Sequence, residues 1–416
     1  MEVFKAFFLL GLTSFGGPTA HLGFFREAFT QKRKWLTDAA YADLVALCQF
    51  LPGPASSQTG FAIGLLRAGP AGAAAAFVAF TLPSALAMGA FGVLAASLPD
   101  GMGAGVLHGL KVVAVAVVAQ AVLGMARSLC PDNTRAGLAF FALALMLAWP
   151  EDSLLPLAVV QLIPFFVGGA VGYWLLQKAI AGAGSSSGSG SGSGSGTTSD
   201  DEAAPLSVPL SQRFGVGLLV SVPVLLLVLP VLAGLTGSSF LDFFDAIFRS
   251  GALVFGGGHV VLPLLQESVV DPGYLSADDF LAGYGVVQAM PGPLFTIASH
   301  MGAAAGMAGT IPGGALIGCL MATIAIFLPG FLLLLGTLPF WASLRDKPKI
   351  RAALAGVNAA VVGLLGAALY DPVFTAAVTD KADVAGIALA YFCLAGLKLP
   401  PWLVVVGGGL VGLVLV

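Results

Sequence analysis

Two kinds of helix-breaking turn in this chain stand next to hydrogen-bond donors, and each turn occurs twice. Gly16-Gly17 after Phe15 recurs as Gly256-Gly257 after Phe255, and Pro52-Gly53-Pro54 recurs as Pro291-Gly292-Pro293. A glutamine stands three residues before each PGP turn, Gln49 and Gln288. A helix that starts inside a membrane presents unpaired backbone N–H groups and the positive end of its dipole, a ready anion site. Glycine lets a ligand approach the backbone, and proline suits a first helical turn because it has no N–H to leave unsatisfied. Thr13, Ser14 and Thr19 flank the first break, Ser56, Ser57 and Gln58 the second, and Thr296 and Ser299 the fourth. Together these groups could replace the hydration shell of a small tetrahedral oxyanion. Glycines that only allow packing and prolines that only make kinks are the plainer alternative; two copies with glutamine at the same spacing favour the functional one.

Ionisable residues in apolar segments are costly unless paired or wet, so each is a candidate for function. Lys111 lies in an otherwise uncharged span and is the first candidate for a fixed positive charge facing substrate, with snorkelling to the interface as the alternative. His21 and His259 follow the two FGG breaks and could donate to an anion or titrate near neutral pH. Glu27 and Glu267 are matched carboxylates that could carry a coupling proton, with pairing to Arg26 or the basic loop as the structural alternative for Glu27. Asp43 and Arg249 are weaker candidates of the same kind. No metal-binding His/Cys spacing, G-x-S-x-G or phosphate loop occurs, so neither a metal, a cofactor nor an enzyme is expected. Cys48, Cys130, Cys319 and Cys393 are dispersed and read as packing residues.

The elements that hold these residues are membrane helices. Hydrophobic residues make up 58% of the 416 and charged residues 9%, and the mean hydropathy is +0.96. Long apolar runs recur from Ala71 to Leu98, Val106 to Met125, Leu155 to Leu176, Phe214 to Leu232 and Ala315 to Leu338. About 20 helical residues cross a hydrocarbon core, and none of these runs alternates as barrel strands do. The net charge of -3 is too small, and the basic residues too scattered, to suggest a nucleic-acid partner, and none is expected. The N-terminal MEVFKAFFLLGLTSFGG is followed by no A-x-A-type cleavage site and is read as mature protein.

Residues 182–205 are Gly/Ser-rich and read as a flexible linker. Around it the chain repeats itself. FKAFFLLGLTSFGG from Phe4 matches FDAIFRSGALVFGG from Phe244, placing Glu27 on Glu267. WLTDAAYADLVALCQFLPGP then matches YLSADDFLAGYGVVQAMPGP, and LHGLKVVAVAVV matches LAGVNAAVVGLL with Lys111 on Asn358. Lys32, Arg33 and Lys34 belong on the cytoplasmic face by the positive-inside rule, whereas the equivalent loop carries Glu267, Asp271, Asp278 and Asp279. The expected architecture is an all-α integral membrane protein of two inverted-topology repeats, with interrupted or re-entrant helical hairpins at the FGG and PGP motifs. Its parts are a first repeat over 1–181 with a cytoplasmic N-terminus, a cytoplasmic linker over 182–205, a connecting transmembrane helix over 206–239 and an inverted second repeat over 240–416.

The stretch FGGPTAHLGFFREAFTQKRKWLTDAAYADLVALCQFLPGPASSQTGFAIG resembles the chromate ion transporter family, and FGGGHVVLPLLQE with VVQAMPGPLFTIASHMGA resembles that family's second domain. The resemblance covers both halves but not the linker. It implies chromate efflux and chromate resistance at a bacterial or archaeal inner membrane. Chromate and sulfate are both tetrahedral dianions of similar size, so a transporter of sulfate or another oxyanion is one alternative and a passive anion channel another. By analogy with this kind of architecture, a two-fold homodimer is the expected assembly.

Overall fold

The computed structural model describes residues 1–95, 102–150, 160, 162–176, 210–254, 261–344 and 347–415. The linker, Gly256, Gly257, His259 and the Thr19 side chain lie outside the described residues.

All regular structure among the described residues is helical. The first half contains α1 (Glu2–Thr13), α2 (Gly17–Arg26, continued by a π turn over Glu27–Lys32), α3 (Asp38–Phe50), α4 (Ala55–Ala95), α5 (Met102–Leu129), α6 (Asn133–Ala148) and α7 (Leu162–Leu175). α8 (Gln212–Thr236) connects it to α9 (Ser239–Ala252), α10 (Val261–Val269), α11 (Ala277–Ala289), α12 (Ile297–Met307), α13 (Gly314–Thr337), α14 (Pro348–Ala368), α15 (Lys381–Tyr391) and α16 (Pro401–Leu415). Five described helices, including α4, α5, α8, α13 and α14, are long and apolar enough to cross a membrane.

Local chemistry sets where these helices begin. The Thr37 hydroxyl accepts from Ala40 N–H to start α3, and the Ser276 hydroxyl accepts from Asp279 N–H to start α11, its counterpart. Asp132 caps α6 and Asp380 caps α15 in the same way. α4 is two helical arms, because Ala68 and Gly69 leave helical geometry, Gly69 at φ 65°, ahead of Pro70. The arms fold back on each other where neither Gly64 nor Gly72 has room for a Cβ against the other's backbone. Gly302 against Gly318 and Gly306 against Gly314 make the same close approach between α12 and α13.

The chain doubles back at the first break, with α1 and α2 packed on each other. Phe7 of α1 stacks on Phe29 at 4.7 Å and meets Phe25 edge-on at 5.6 Å, so α1 and α2 lie side by side. Glu2 at the start of α1 pairs with Arg67 at the end of the first α4 arm, 3.3 Å away, and Arg67 lies over Trp35 just before α3. Both hairpins of the first half therefore open on one face, with Lys32, Arg33 and Lys34. In the second half Phe243 packs on Tyr274 at 4.9 Å, and His300 reaches the Asp279 carbonyl at 3.0 Å. That places both of its hairpins on the rim of Asp271, Asp278 and Asp279. Arms of 10 to 13 residues, as in α2 and α3, are about 15 to 20 Å long, half a hydrocarbon core.

The 70–95 arm links the two faces. It leaves the basic rim beside Arg67, and near its far end Gly92 packs on the carbonyl of His300, close to the acidic rim. α13 runs the other way, ending where the Trp341 indole donates to Asp43 of α3 at 2.9 Å. The remaining helices are exchanged between halves: α5 packs on α15 and α16, and α14 on α6 and α7. Burial divides into a large core built mainly from the second half with α5, a smaller one around Phe7, Phe25, Phe29 and Phe80, and a minor one of Ala142, Ala360 and Leu364.

Candidate anion site at the crossed helix breaks

The breaks meet in pairs, and each pair takes one member from each half. Gly53 N–H donates to the Val254 carbonyl at 2.7 Å, and Gly292 N–H donates to the Ser14 carbonyl at 3.0 Å. Ser14 and Val254 occupy the same column before the FGG turns, and Gly53 and Gly292 the same column within the PGP turns. Each half thus lends the amide of its PGP turn to a carbonyl freed at the end of the other half's first helix. Both glycines need left-handed backbone, φ 115° at Gly53 and 98° at Gly292. Neither has space for a side chain: a Cβ at Gly53 would lie 3.0 Å from Gly330 Cα, and one at Gly292 2.8 Å from Ser84 Oγ. Ser84 and Gly330 each follow the proline of a Leu-Pro pair, Pro83 and Pro329, in the 70–95 arm and α13.

On the first-half side the break is lined by buried polar groups. His21 is fully buried; its Nε2–H donates to the Ser14 carbonyl at 3.1 Å, so Nδ1 is left to accept from the Ser56 hydroxyl at 3.4 Å. Gln58 Nε2 donates to the Pro52 carbonyl at 3.0 Å and the Gly330 carbonyl at 2.9 Å, tying the PGP turn to the other half. Gln58 therefore positions the turn. The first intrahelical bond of α4 runs from Gln58 N–H to Pro54 C=O, so the amides of Ala55, Ser56 and Ser57 precede the helical ladder. The buried hydroxyls of Ser14, Ser57 and Thr81, and the Oε1 of Gln58, have no hydrogen-bond partner in the described structure. Hydroxyls buried without partners are costly to leave and mark places where a ligand or water supplies the bond.

The remaining sequence candidates are placed as follows. Gly16, at φ 97°, caps α2, and Gly17, at φ 73°, opens it with Pro18 next. Gln49 is exposed, whereas Gln288 in the same column is buried with its Nε2 unpartnered. The Thr296 hydroxyl donates to the Pro293 carbonyl at 2.7 Å, and Ser299 bonds Thr323 at 2.7 Å. Thr13 is exposed and bonds the Leu9 carbonyl at 2.8 Å.

Lys111 is not brought to the breaks: its Nζ is 2.8 Å from Asp278 at the acidic rim and 3.5 Å from the Ala376 carbonyl. Glu27 pairs with Lys32 at 2.7 Å, while Arg26 pairs with Asp38 at 2.8 Å. Asp43 holds Trp341, and Glu267 is half-buried in α10. Arg249 binds Asp245 at 3.1 Å and the Leu226 carbonyl at 3.0 Å, fastening α9 to α8. Among the described residues no cluster of three or more His, Cys, Asp or Glu side chains is placed to hold a metal ion.

Thr81, Ser84 and Gly330 do not stand out in the sequence, nor does the contact of His108 Nε2 with Asp383 at 2.6 Å. The first three lie beyond the point where the halves change register. Thr81-Leu82-Pro83-Ser84 aligns with Phe327-Leu328-Pro329-Gly330 only after the longer 308–313 turn is allowed for. The Leu-Pro pair was the available signal.

A sequence model described as chromate transporter matches residues 1–173 and 241–413, both halves without the linker. The chain is 26% identical to a chromate transport protein of Pseudomonas aeruginosa over 89% of this chain and 80% of that one. It is 26% identical to a probable chromate transport protein of Synechococcus elongatus, over 99% and 95% of the two chains. An uncharacterized transporter of the archaeon Methanocaldococcus jannaschii is also 26% identical, over 88% and 82%. No solved structure matches. With its helical membrane architecture and a match across both halves, this chain belongs to the chromate transporter family, a family of transporters and not of enzymes.

Proposed function

We propose that this protein exports chromate by secondary active transport across the cytoplasmic membrane of a bacterium or archaeon, binding the anion where the broken helices cross. The observation that carries this reading is the reciprocal pair of bonds, Gly53 N–H to Val254 C=O and Gly292 N–H to Ser14 C=O. They join the two halves at the level where four short arms end, a half-membrane depth from either rim. A basic rim on one half's hairpins and an acidic rim on the other's, at opposite ends of the 70–95 arm, support inverted copies with the linker on the cytoplasmic side. Two copies that share a crossing can rock against each other around it, opening one face and then the other. The names of the Pseudomonas and Synechococcus relatives supply the substrate.

Expression in a chromate-sensitive bacterium is expected to lower cell-associated chromate; unchanged accumulation with correctly inserted protein would contradict export. In inside-out vesicles, chromate uptake is expected to follow an imposed proton or counter-anion gradient. Uptake that tracks the membrane potential alone would instead identify a channel. Sulfate that outcompetes chromate would make this a transporter of a different oxyanion.

A further inference from the structure

We infer that the anion is held on one side of the crossing only, at the start of α4 by the hydroxyls of Ser14, Ser57 and Thr81, while the matching place in the second half is closed by phenylalanines. This deepens the proposed function and rests on it for the class of ligand, a tetrahedral dianionic oxyanion.

The backbone of the crossing is nearly symmetric, and its side chains are not. Where the first half has Ser14, His21, Ser56, Gln58 and Thr81, the second has Val254, Val261, Phe295, Ile297 and Phe327 in the same columns. The columns after the PGP turns are fixed by packing as well as by sequence. Gly11 packs on the Phe80 carbonyl as Gly251 packs on that of Ile326, and Gly53 meets Gly330 as Gly292 meets Ser84. That correspondence takes Phe295 to Ser56 and Phe327 to Thr81. Phe295 and Phe327 are in ring contact at 5.8 Å, and Ser56 and Thr81 are the small polar residues in their columns.

The two sides differ in what they offer a ligand. Ser57 is 3% exposed, Ser14 0% and Thr81 3%, and each hydroxyl is without a partner. These are neutral donors beside the free amides of a helix start, able to replace water around an oxyanion without the grip of a fixed charge that would slow release. On the other side the Thr296 hydroxyl is consumed by the Pro293 carbonyl. Phe295 and Phe327 are in ring contact, and Phe327 stacks in turn with Phe331 at 6.0 Å. The faces of aromatic rings carry partial negative charge and repel an anion, and their bulk removes the space for one. Gln288 Nε2, His300 Nδ1 and Gln266 Oε1 in the second half run against this pattern, since they too are buried without a hydrogen bond; Gln288, nearest the PGP turn in sequence, supplies the discriminating control.

The test is equilibrium binding of radiolabelled chromate, and separately of sulfate, to the purified full chain. The variants are Ser14→Ala, Ser57→Ala and Thr81→Val, set against Thr296→Val and Gln288→Ala. Loss of a hydrogen bond to a charged ligand is expected to weaken binding at least about tenfold for Ser57→Ala and Ser14→Ala. The second-half variants are expected to stay within about twofold. Ser57→Thr and Ser14→Thr, which keep the hydroxyl, are expected to restore binding, and an unchanged thermal midpoint separates lost binding from lost folding. Equal losses on the two sides, or a loss at Gln288 without one at Ser57, would overturn the one-sided site. A wild-type chain that binds sulfate and not chromate overturns the chromate reading, and the side of the site is then read with sulfate. A chain that binds neither overturns both.

Discussion

The first-half crossing and the second-half crossing share one backbone plan and differ in almost every side chain that faces it. Both use a left-handed glycine amide to cap the other half's carbonyl, and both rest on a helix that carries a Leu-Pro pair. One is lined with hydroxyls and an imidazole, the other with Val254, Phe295 and Phe327. Backbone complementarity is what two halves need in order to move against each other, so it is retained in both. Binding one small ion needs only one set of donors, so the second set of positions is free to be packed with rings.

The sharpest way to break this comparison is to overfill the glycines that hold each half's first helix to its long one. A Cβ at Gly251 would collide with the Ile326 carbonyl, and one at Gly11 would lie 2.8 Å from that of Phe80. Gly251→Leu and Gly11→Leu are each expected to cost about 3 kcal/mol or more and abolish the monodisperse detergent-solubilised peak. A peak lost in one variant and kept in the other would show that the halves are not packed alike.

Next in size are Gly53→Ala and Gly292→Ala. Each forces a side chain into left-handed backbone at a cost of about 1–3 kcal/mol and presses on a neighbour. Chromate uptake into inside-out vesicles is expected to fall by a similar large factor in both, because the backbone bonds are reciprocal. A loss confined to Gly53→Ala would make the second crossing a mere scaffold.

The rim pair is weaker. Lys111 is buried but Asp278 is 61% exposed, so Asp278→Asn is expected to cost only about 1 kcal/mol, seen as a small fall in thermal midpoint with transport retained. The smallest effect belongs to Glu27→Gln, whose pair with Lys32 is exposed on both sides; stability is expected to change by less than about 0.5 kcal/mol and uptake to be unaltered. Glu267→Gln, in the half-buried matching position, is expected to weaken the dependence of uptake on a proton gradient; unchanged dependence would remove Glu267 from the coupling route.

Much of this was written in local sequence. The FGG and PGP breaks, the helical class and the register of Ser14 with Val254 follow from residues that cannot continue a helix and from apolar runs that cannot be soluble. What stayed hidden depends on contacts between distant segments. Lys111 looked like a substrate charge because Asp278, its partner, lies 167 residues on and in the other half. Gln49 and Gln288 share a column yet one is exposed and the other buried, since the helices exchanged between halves cover them differently. Thr81 could not be aligned without knowing that the tight 68–70 kink and the longer 308–313 turn do the same job.

The central claim is that chromate sits at the crossing, against the start of α4. An anomalous difference map at the chromium absorption edge, from crystals of the full chain grown with chromate, tests it most directly. The account predicts one chromium peak per chain within hydrogen-bonding reach, through its oxygens, of Ser57 and Ser14. A peak among Phe295, Gln288 and Thr296, or at the Lys111 rim with none at the crossing, would contradict it.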